Sequence, residues 1–372
     1  MRTDVRVTRV DAVPFSIPYR KPLRFASGEV HAADHVLVRV HTDAGVVGIA
    51  EAPPRPFTYG ETQASIVAVV DQLLGPALVG RSLHDRNALR AAMHRTVGNP
   101  TAKAAVDMAV WDALGRCLGL TVTAMLGGGA GRPLRVCHML GFDDPAVMVA
   151  EAGRMLADHG VDTFKVKVGR RPLELDVAVV RALRAEFGPG IDLYVDGNRG
   201  WTASESLRAL RLMEDLDLSF AEELCPADDV LDRRRLVRRS TIPVLADESA
   251  TTPAEVTREL LSGAADAVSI KTARTGFTVS RVVLDLCDGL GVEVVVGNQV
   301  DGQLGTSCSA AFAAAHPLTA ARAAELSNFL DMSDDLLTES LRIEQGHLVL
   351  PVGPGVGVVV DEEKLEHYRR DR

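Results

Sequence analysis

Between residues 134 and 327 the chain repeats one phrase eight times: a short apolar, β-prone stretch and then a longer stretch with helical spacing. The strand-like pieces are LRVCHML (134–140), TFKVKV (163–168), IDLYVD (191–196), LSFAEE (218–223), IPVLADE (242–248), AVSIKT (267–272), VEVVVGN (292–298) and AAELS (323–327). Continuous apolar character marks strands covered on both faces, as parallel strands are. Each repeat has room for one strand and one helix. Eight such units close into a barrel, whose reactive side chains gather at the C-terminal strand ends. The expected fold is therefore α/β, with a TIM-like (β/α) barrel at its centre.

What precedes the repeat has a different grammar. VRVTRVDAVPFSIPY and HVLVRVHTDAGVVGIAEAP alternate as strands do, with a turn at Asp43, Ala44 and Gly45. From about residue 61 the period becomes helical, ending in NPTAKAAVDMAVWDALGRCLGL with Gly119 as its stop. Glycines at 127–129 and 131 break the chain before the first repeat. The tail, LRIEQGHLVLPVGPGVGVVVDEEKLEHY, reads as strand, loop and strand, returning to the first domain. The expected organisation is an α+β domain over 1–127, a barrel over 128–345 and a C-terminal segment over 346–372.

Five consecutive strands of the repeat end in an ionisable residue: Lys167, Asp196, Glu222, Asp247 and Lys271, at intervals of 29, 26, 25 and 24 positions. An acid at a strand–helix junction is commonly a helix cap, but three in series, flanked by lysines, converge on the barrel mouth. Hard oxygen ligands of this kind suit Mg²⁺ or Mn²⁺. Lys165 and Lys167, two apart on one strand, both face inward. Mutual repulsion is expected to lower their pKa values and make a neutral amine available as a base. Lys271 faces them from across the mouth.

Composition narrows the partners. A formal net charge of −9 argues against nucleic acid. No apolar run approaches the ~18 residues of a membrane span, and the charged, alternating start is unlike a signal peptide. Five scattered cysteines without CxxC spacing suggest reduced thiols and no zinc site. A cytoplasmic enzyme with no membrane or nucleic-acid partner is expected.

FKVKVG, YVDGN, FAEELCPADD, VLADES and SIKTARTG together resemble the enolase superfamily, and within it the muconate lactonizing enzyme subgroup. AAVDMAVWDALGRCLGLTVTAMLGG is similar to the family's junction helix and PVGPGVGVVVD to its returning tail, so the likeness spans nearly the whole chain. It implies an enolase-like fold with the first domain capping the barrel, a homo-oligomer, and one Mg²⁺ or Mn²⁺ on Asp196, Glu222 and Asp247. It also implies Lys167 and Lys271 as catalytic lysines, Lys165 as their support, Asn198 in the site and Glu248 beside the third ligand. Leu224 stands where proline is usual, and GNQVDGQLG replaces a more apolar seventh-strand end.

The substrate implied is a small anionic carboxylate. Glu325-Leu326 resembles the muconate cycloisomerases, with Glu325 as a substrate contact, which makes cyclisation of cis,cis-muconate to muconolactone through an enolate the expected reaction. APPRPFTYGE resembles their capping loop, with Phe57 and Tyr59 as lid residues; packing between domains would explain the same two rings. The alternatives are a racemase or epimerase of dipeptides or N-acylamino acids, and a metal-binding scaffold without catalysis, against which the two facing lysines argue. His138 is expected to be a hydrogen-bonded core histidine, and Arg199 and Arg274 to be solvent-facing loop arginines.

Overall fold

The computed structural model describes residues 4–25, 28–129 and 133–371. Gly131 of the expected glycine break lies outside them. β1 (Val7–Phe25), β2 (Gly28–Thr42) and β3 (Val47–Ala52) form an antiparallel sheet in the order β1-β2-β3. The β2–β3 turn falls at the predicted residues, with Gly45 at φ +75° and Thr42 Oγ1 donating to the Val46 carbonyl. The helix Pro100–Leu118 lies across this sheet. Gly48 of β3 permits the close approach, since a Cβ there would sit 2.0 Å from the Ala109 carbonyl oxygen. Pro100 opens the helix and Gly119, at φ +70°, ends it.

The barrel strands are β4 (Leu134–Leu140), β5 (Thr163–Lys167), β6 (Asp192–Asp196), β7 (Leu218–Glu222), β8 (Val244–Ala246), β9 (Ala267–Ile270), β10 (Glu293–Val296) and β11 (Ala324–Glu325). They run parallel from β4 to β10, and β11 pairs with β4 from the other side. Ladders are shorter than the apolar runs: β8 stops at Ala246 and β9 at Ile270, so Asp247 and Lys271 sit just past the last paired residue. Period-two alternation turns Cys137, Tyr194, Phe220, Leu245, Ala267, Val295 and Ala323 into one interior apolar cluster. This layer fills the barrel, and each large side chain in it contributes about 2 kcal/mol by leaving water.

The tail departs from expectation. β12 (Ile343–Glu344) and β13 (His347–Leu348) make a hairpin that pairs with the start of β4, at the end of the barrel away from the mouth. The chain then runs along the Pro100–Leu118 helix, where Arg116 Nη2 donates to the Val358 carbonyl oxygen. Its last element is a helix, Glu362–Tyr368, where a strand was expected. Asp361 caps it by accepting from the N–H groups of Glu363 and Lys364, and the acids of its first turn suit the helix dipole. It docks on β1, with Arg370 N donating to Pro14 O.

Two buried carboxylates fix the first domain against the rest. Asp112 accepts from Ile49 N of the sheet and Val356 N of the tail. Glu51 on β3 accepts from Gly302 N and Gly305 N, at the start of the barrel helix Gln303–Ala313.

Candidate active site

Strand register sets the layout. Lys167 pairs with Asp196 across β5–β6, Asp196 with Glu222 across β6–β7, and Glu222 with Leu245 across β7–β8. Lys167, Asp196 and Glu222 therefore share one level, and Asp247 stands two residues higher. Lys165 lies one interior layer below Lys167. All six ionisable residues of the motif are buried, the least buried being Lys167 and Lys271 at 6% exposed.

Every lysine is engaged by acids. Lys165 Nζ lies 2.6 Å from Glu325, 3.1 Å from Asp196 and 3.3 Å from Glu222. Lys167 Nζ donates to Asp196 Oδ2 and Asn198 Oδ1, both at 2.6 Å, and Lys271 Nζ to Asp247 Oδ2 at 2.5 Å. Burial opposes the charge on Lys165, but Glu222, Glu325 and Asp196 outweigh it and hold the ammonium well above its ordinary range. For Lys271 burial is likewise outweighed, chiefly by Asp247. The expected depression of lysine pKa values is therefore overturned for Lys165, because its near neighbours are carboxylates and not the other amines.

The acids respond in kind. Burial resists ionisation of Asp196, but Lys167, Lys165 and Lys271 together hold it below the usual carboxylate range; Lys271 and Arg274 do the same for Asp247. Glu222 goes the other way, pushed well up by burial and by Asp196. Burial and Asp247 push Glu248 up to about 8; it accepts from Asn198 Nδ2 at 3.1 Å and has Arg199 at 3.5 Å.

Among the described residues no three His, Cys, Asp or Glu side chains converge closely enough to hold a metal as they stand; Lys165, Lys167, Lys271 and Arg274 take up their oxygens. The donor set nonetheless fits a hard divalent cation. Asp196, Glu222 and Asp247 come from three neighbouring strands, and the buried Glu222 carboxyl is short of positive charge.

A cavity of about 550 Å³ opens over this group between barrel and first domain. Lys165, Lys167, Lys271, Asn198, Glu248 and Glu325 line its barrel side, and Phe57 and Tyr59 its other wall. Phe57 is 76% exposed, so the packing explanation fails for that ring. Tyr59 Oη accepts from Arg274 Nη1 at 2.9 Å. Arg274 is itself buried on Asp247, against the expectation of a solvent-facing loop arginine. His138 is the expected core residue, between Ser327 at 2.9 Å and Glu151 at 3.3 Å.

Two contributors escaped the sequence reading. Glu223, at φ +36°, accepts from Asp247 N, Ser249 N and Ser249 Oγ and so shapes the turn that presents Asp247. The signal was the doubled acid of FAEE, read there only as a strand end. Tyr194 donates to Glu325 Oε1 at 3.0 Å, and its ring lies under Lys165; nothing in IDLYVD distinguished it from a packing residue.

A parallel barrel with a capping α+β domain, and with three acids in series flanked by lysines at its mouth, defines an enolase-like protein. Comparison with known proteins agrees. The N-terminal domain of the mandelate racemase / muconate lactonizing enzyme family matches residues 7–127 and the enolase C-terminal domain-like family matches 147–364. The muconate lactonizing enzyme of Mycobacterium smegmatis complexed with muconolactone is 64% identical, with a TM-score of 0.96 over 98% of this chain and 100% of that one. Muconate cycloisomerase 1 of Pseudomonas putida is 32% identical over 99% of this chain and all of its own. The L-Ala-D/L-Glu epimerase of Bacillus subtilis is 30% identical over 95% of this chain and 97% of its own. The chain belongs to the mandelate racemase / muconate lactonizing enzyme family and is an isomerase of the enolase superfamily. Among the described residues no helix is long and apolar enough to cross a membrane.

Proposed function

We propose that this protein enolises a small carboxylate and that its substrate is cis,cis-muconate, which closes to muconolactone. Asp196, Glu222 and Asp247 would hold Mg²⁺ or Mn²⁺. When bound, the ion supplies the positive charge that an enolate derived from a carboxylate requires. One muconate carboxylate adds an oxygen across the far double bond, whose electrons pass to the carbon α to the other carboxylate. A proton delivered to that carbon completes the lactone.

Lys167 and Lys271 approach from different strands, so the lysine on the face of the α carbon delivers the proton and the other adds positive charge beside the enolate. Lys165 adds a fixed positive charge beneath them, and Asn198 bridges Lys167 to Glu248. Substrate contacts at Phe57 and Tyr59 would close the mouth from the capping loop.

The observation that carries muconate over a dipeptide lies at the eighth strand. Its acid, Glu325, is taken by Lys165 and Tyr194, leaving it poorly placed to receive an α-ammonium group. The 64% identity to a muconate lactonizing enzyme supports the same reading. The facing lysines would equally suit racemisation, so the test is a panel. With Mg²⁺, cis,cis-muconate should lose its diene absorbance, while dipeptides and N-acylamino acids show little epimerisation. Lys167→Ala and Lys271→Ala should each lower turnover by about 10²–10⁴-fold. Robust dipeptide epimerisation without muconate turnover would overturn the substrate.

A further inference from the structure

Four cations lining the cavity have a carboxylate beside them: Lys165 has Glu325, Lys167 has Asp196, Lys271 has Asp247 and Arg199 has Glu248. Arg55, on the loop after β3, lines the same cavity and forms no ion pair among the described residues. Its guanidinium donates to the Gln299 carbonyl oxygen, which leaves most of its five N–H donors over. Burial opposes its positive charge, and the acids that favour it are Tyr19, Asp301 and Tyr59. Asp301 is a weak counterion, since burial and Glu51 push its carboxyl up to about 7. A half-buried guanidinium without a close anion is a costly arrangement unless a ligand completes it.

Gln299 adds a second, independent observation. It lines the cavity at 3% exposed, and neither its Nε2 nor its Oε1 has a hydrogen-bond partner. Its neighbour Val300 is held at φ +62°, a conformation β-branched residues rarely adopt. The Asn298 side chain and Asp301, hydrogen-bonded to each other through Asn298 Nδ2 and Asp301 N, brace that turn. The loop is thus fixed in shape while its carboxamide is unspent.

We propose that Arg55, with the Gln299 carboxamide beside it, seats the second carboxylate of the substrate and makes this cavity selective for dicarboxylates. This deepens the enolisation reading above, which provides the place of the first carboxylate. In the lactonisation the second carboxylate is the nucleophile. With one oxygen held by Arg55, the other adds to carbon, and its negative charge disappears as the C–O bond forms. Dianion plus one proton gives a monoanionic lactone, so the pairing with Arg55 dissolves with turnover and the product leaves a cation that no longer holds it.

The experiment uses Mg²⁺-loaded protein and calorimetric titration with adipate and hexanoate, six-carbon acids that differ by one carboxylate. Wild type should bind adipate about 10- to 100-fold more tightly. Arg55→Met should abolish that preference with hexanoate affinity unchanged, Arg55→Lys should keep part of it, and Gln299→Leu should reduce it by a smaller factor. Equal weakening of both acids by Arg55→Met would mean that the residue merely braces the loop, and would overturn the proposal, as would a wild type with no preference. The two readings fail separately. An Arg55-dependent adipate preference without muconate turnover leaves the subsite and removes the lactonisation; muconate turnover with a preference untouched by Arg55→Met does the reverse.

Discussion

Gly297 follows β10 directly, and its missing side chain is where Lys271 passes. A Cβ at this position would lie 2.7 Å from Lys271 Cε, 3.0 Å from Lys271 Cγ and 2.6 Å from Ser269 Oγ. Non-bonded carbons rest at about 3.5–4.0 Å, so Gly297→Ala obliges the lysine chain to move by about 1 Å. The atoms that must give belong to side chains and not to backbone, which puts the stability cost near the low end for overpacking, about 1 kcal/mol. A displacement of that size at a proton-transferring amine, the role proposed for Lys271, costs on the order of 10²-fold in rate. The prediction is thus a dissociation: kcat on muconate falls about a hundredfold while the melting temperature drops by only about 2 °C. Gly289, on the exposed side of the Thr272–Leu290 helix, is the control, because a methyl group there would meet nothing within 4 Å. Gly289→Ala should leave kcat alone and add about 0.5 kcal/mol of stability. Full activity in Gly297→Ala would refute the reasoning, since Lys271 would then tolerate a shift that no proton-transferring group should.

Two further outcomes are expected. Asp196→Asn should weaken Mg²⁺ binding measured by calorimetry at least tenfold without unfolding the barrel; unchanged affinity would remove Asp196 from the proposed metal centre. Asp331, away from that centre, has its carboxyl pushed up to about 6 by burial and by Glu151, against the opposing pull of His138, Arg20 and Lys21. An acid with a raised folded pKa binds its proton more tightly in the fold, so stability falls as the pH rises through about 4 to 6. Asp331→Asn should accordingly stabilise the fold at pH 8 by about 3 kcal/mol, read as a higher melting temperature, and leave the melting temperature unchanged at pH 3; equal gains at both would assign the effect to packing.

The barrel was legible because parallel strands buried on both faces write themselves as apolar runs, and the site because acids and lysines recur at one end of those runs. Asp196, Glu222 and Lys167 needed only strand register to meet. The electrostatics were not legible: repulsion between Lys165 and Lys167 looked decisive in TFKVK, whereas Glu325, more than 150 residues away in sequence, sits closer to Lys165 than any sequence neighbour could suggest. Arg274 was misread for a related reason, since a loop arginine after a strand end gives no sign that it will turn back onto Asp247. The last helix was missed because VGVVV looks like a strand, although Asp361 followed by two glutamates is an N-terminal helix signal. Glu51, Arg55 and Gln299 carry no periodicity; they become neighbours only when the first domain lies over the barrel.

Asp112 joins segments that a ribosome makes far apart in time. Its oxygens receive N–H groups from residue 49 and residue 356, so the capping unit is discontinuous along the chain and the barrel is written inside it. The first hundred or so residues emerge with a buried carboxylate that lacks one of its donors until almost the whole polypeptide exists. Any chimera that transplants the cap onto another barrel must therefore carry both chain ends, and one that moves the N-terminal piece alone should leave Asp112 with an unmet acceptor in the middle of its new core.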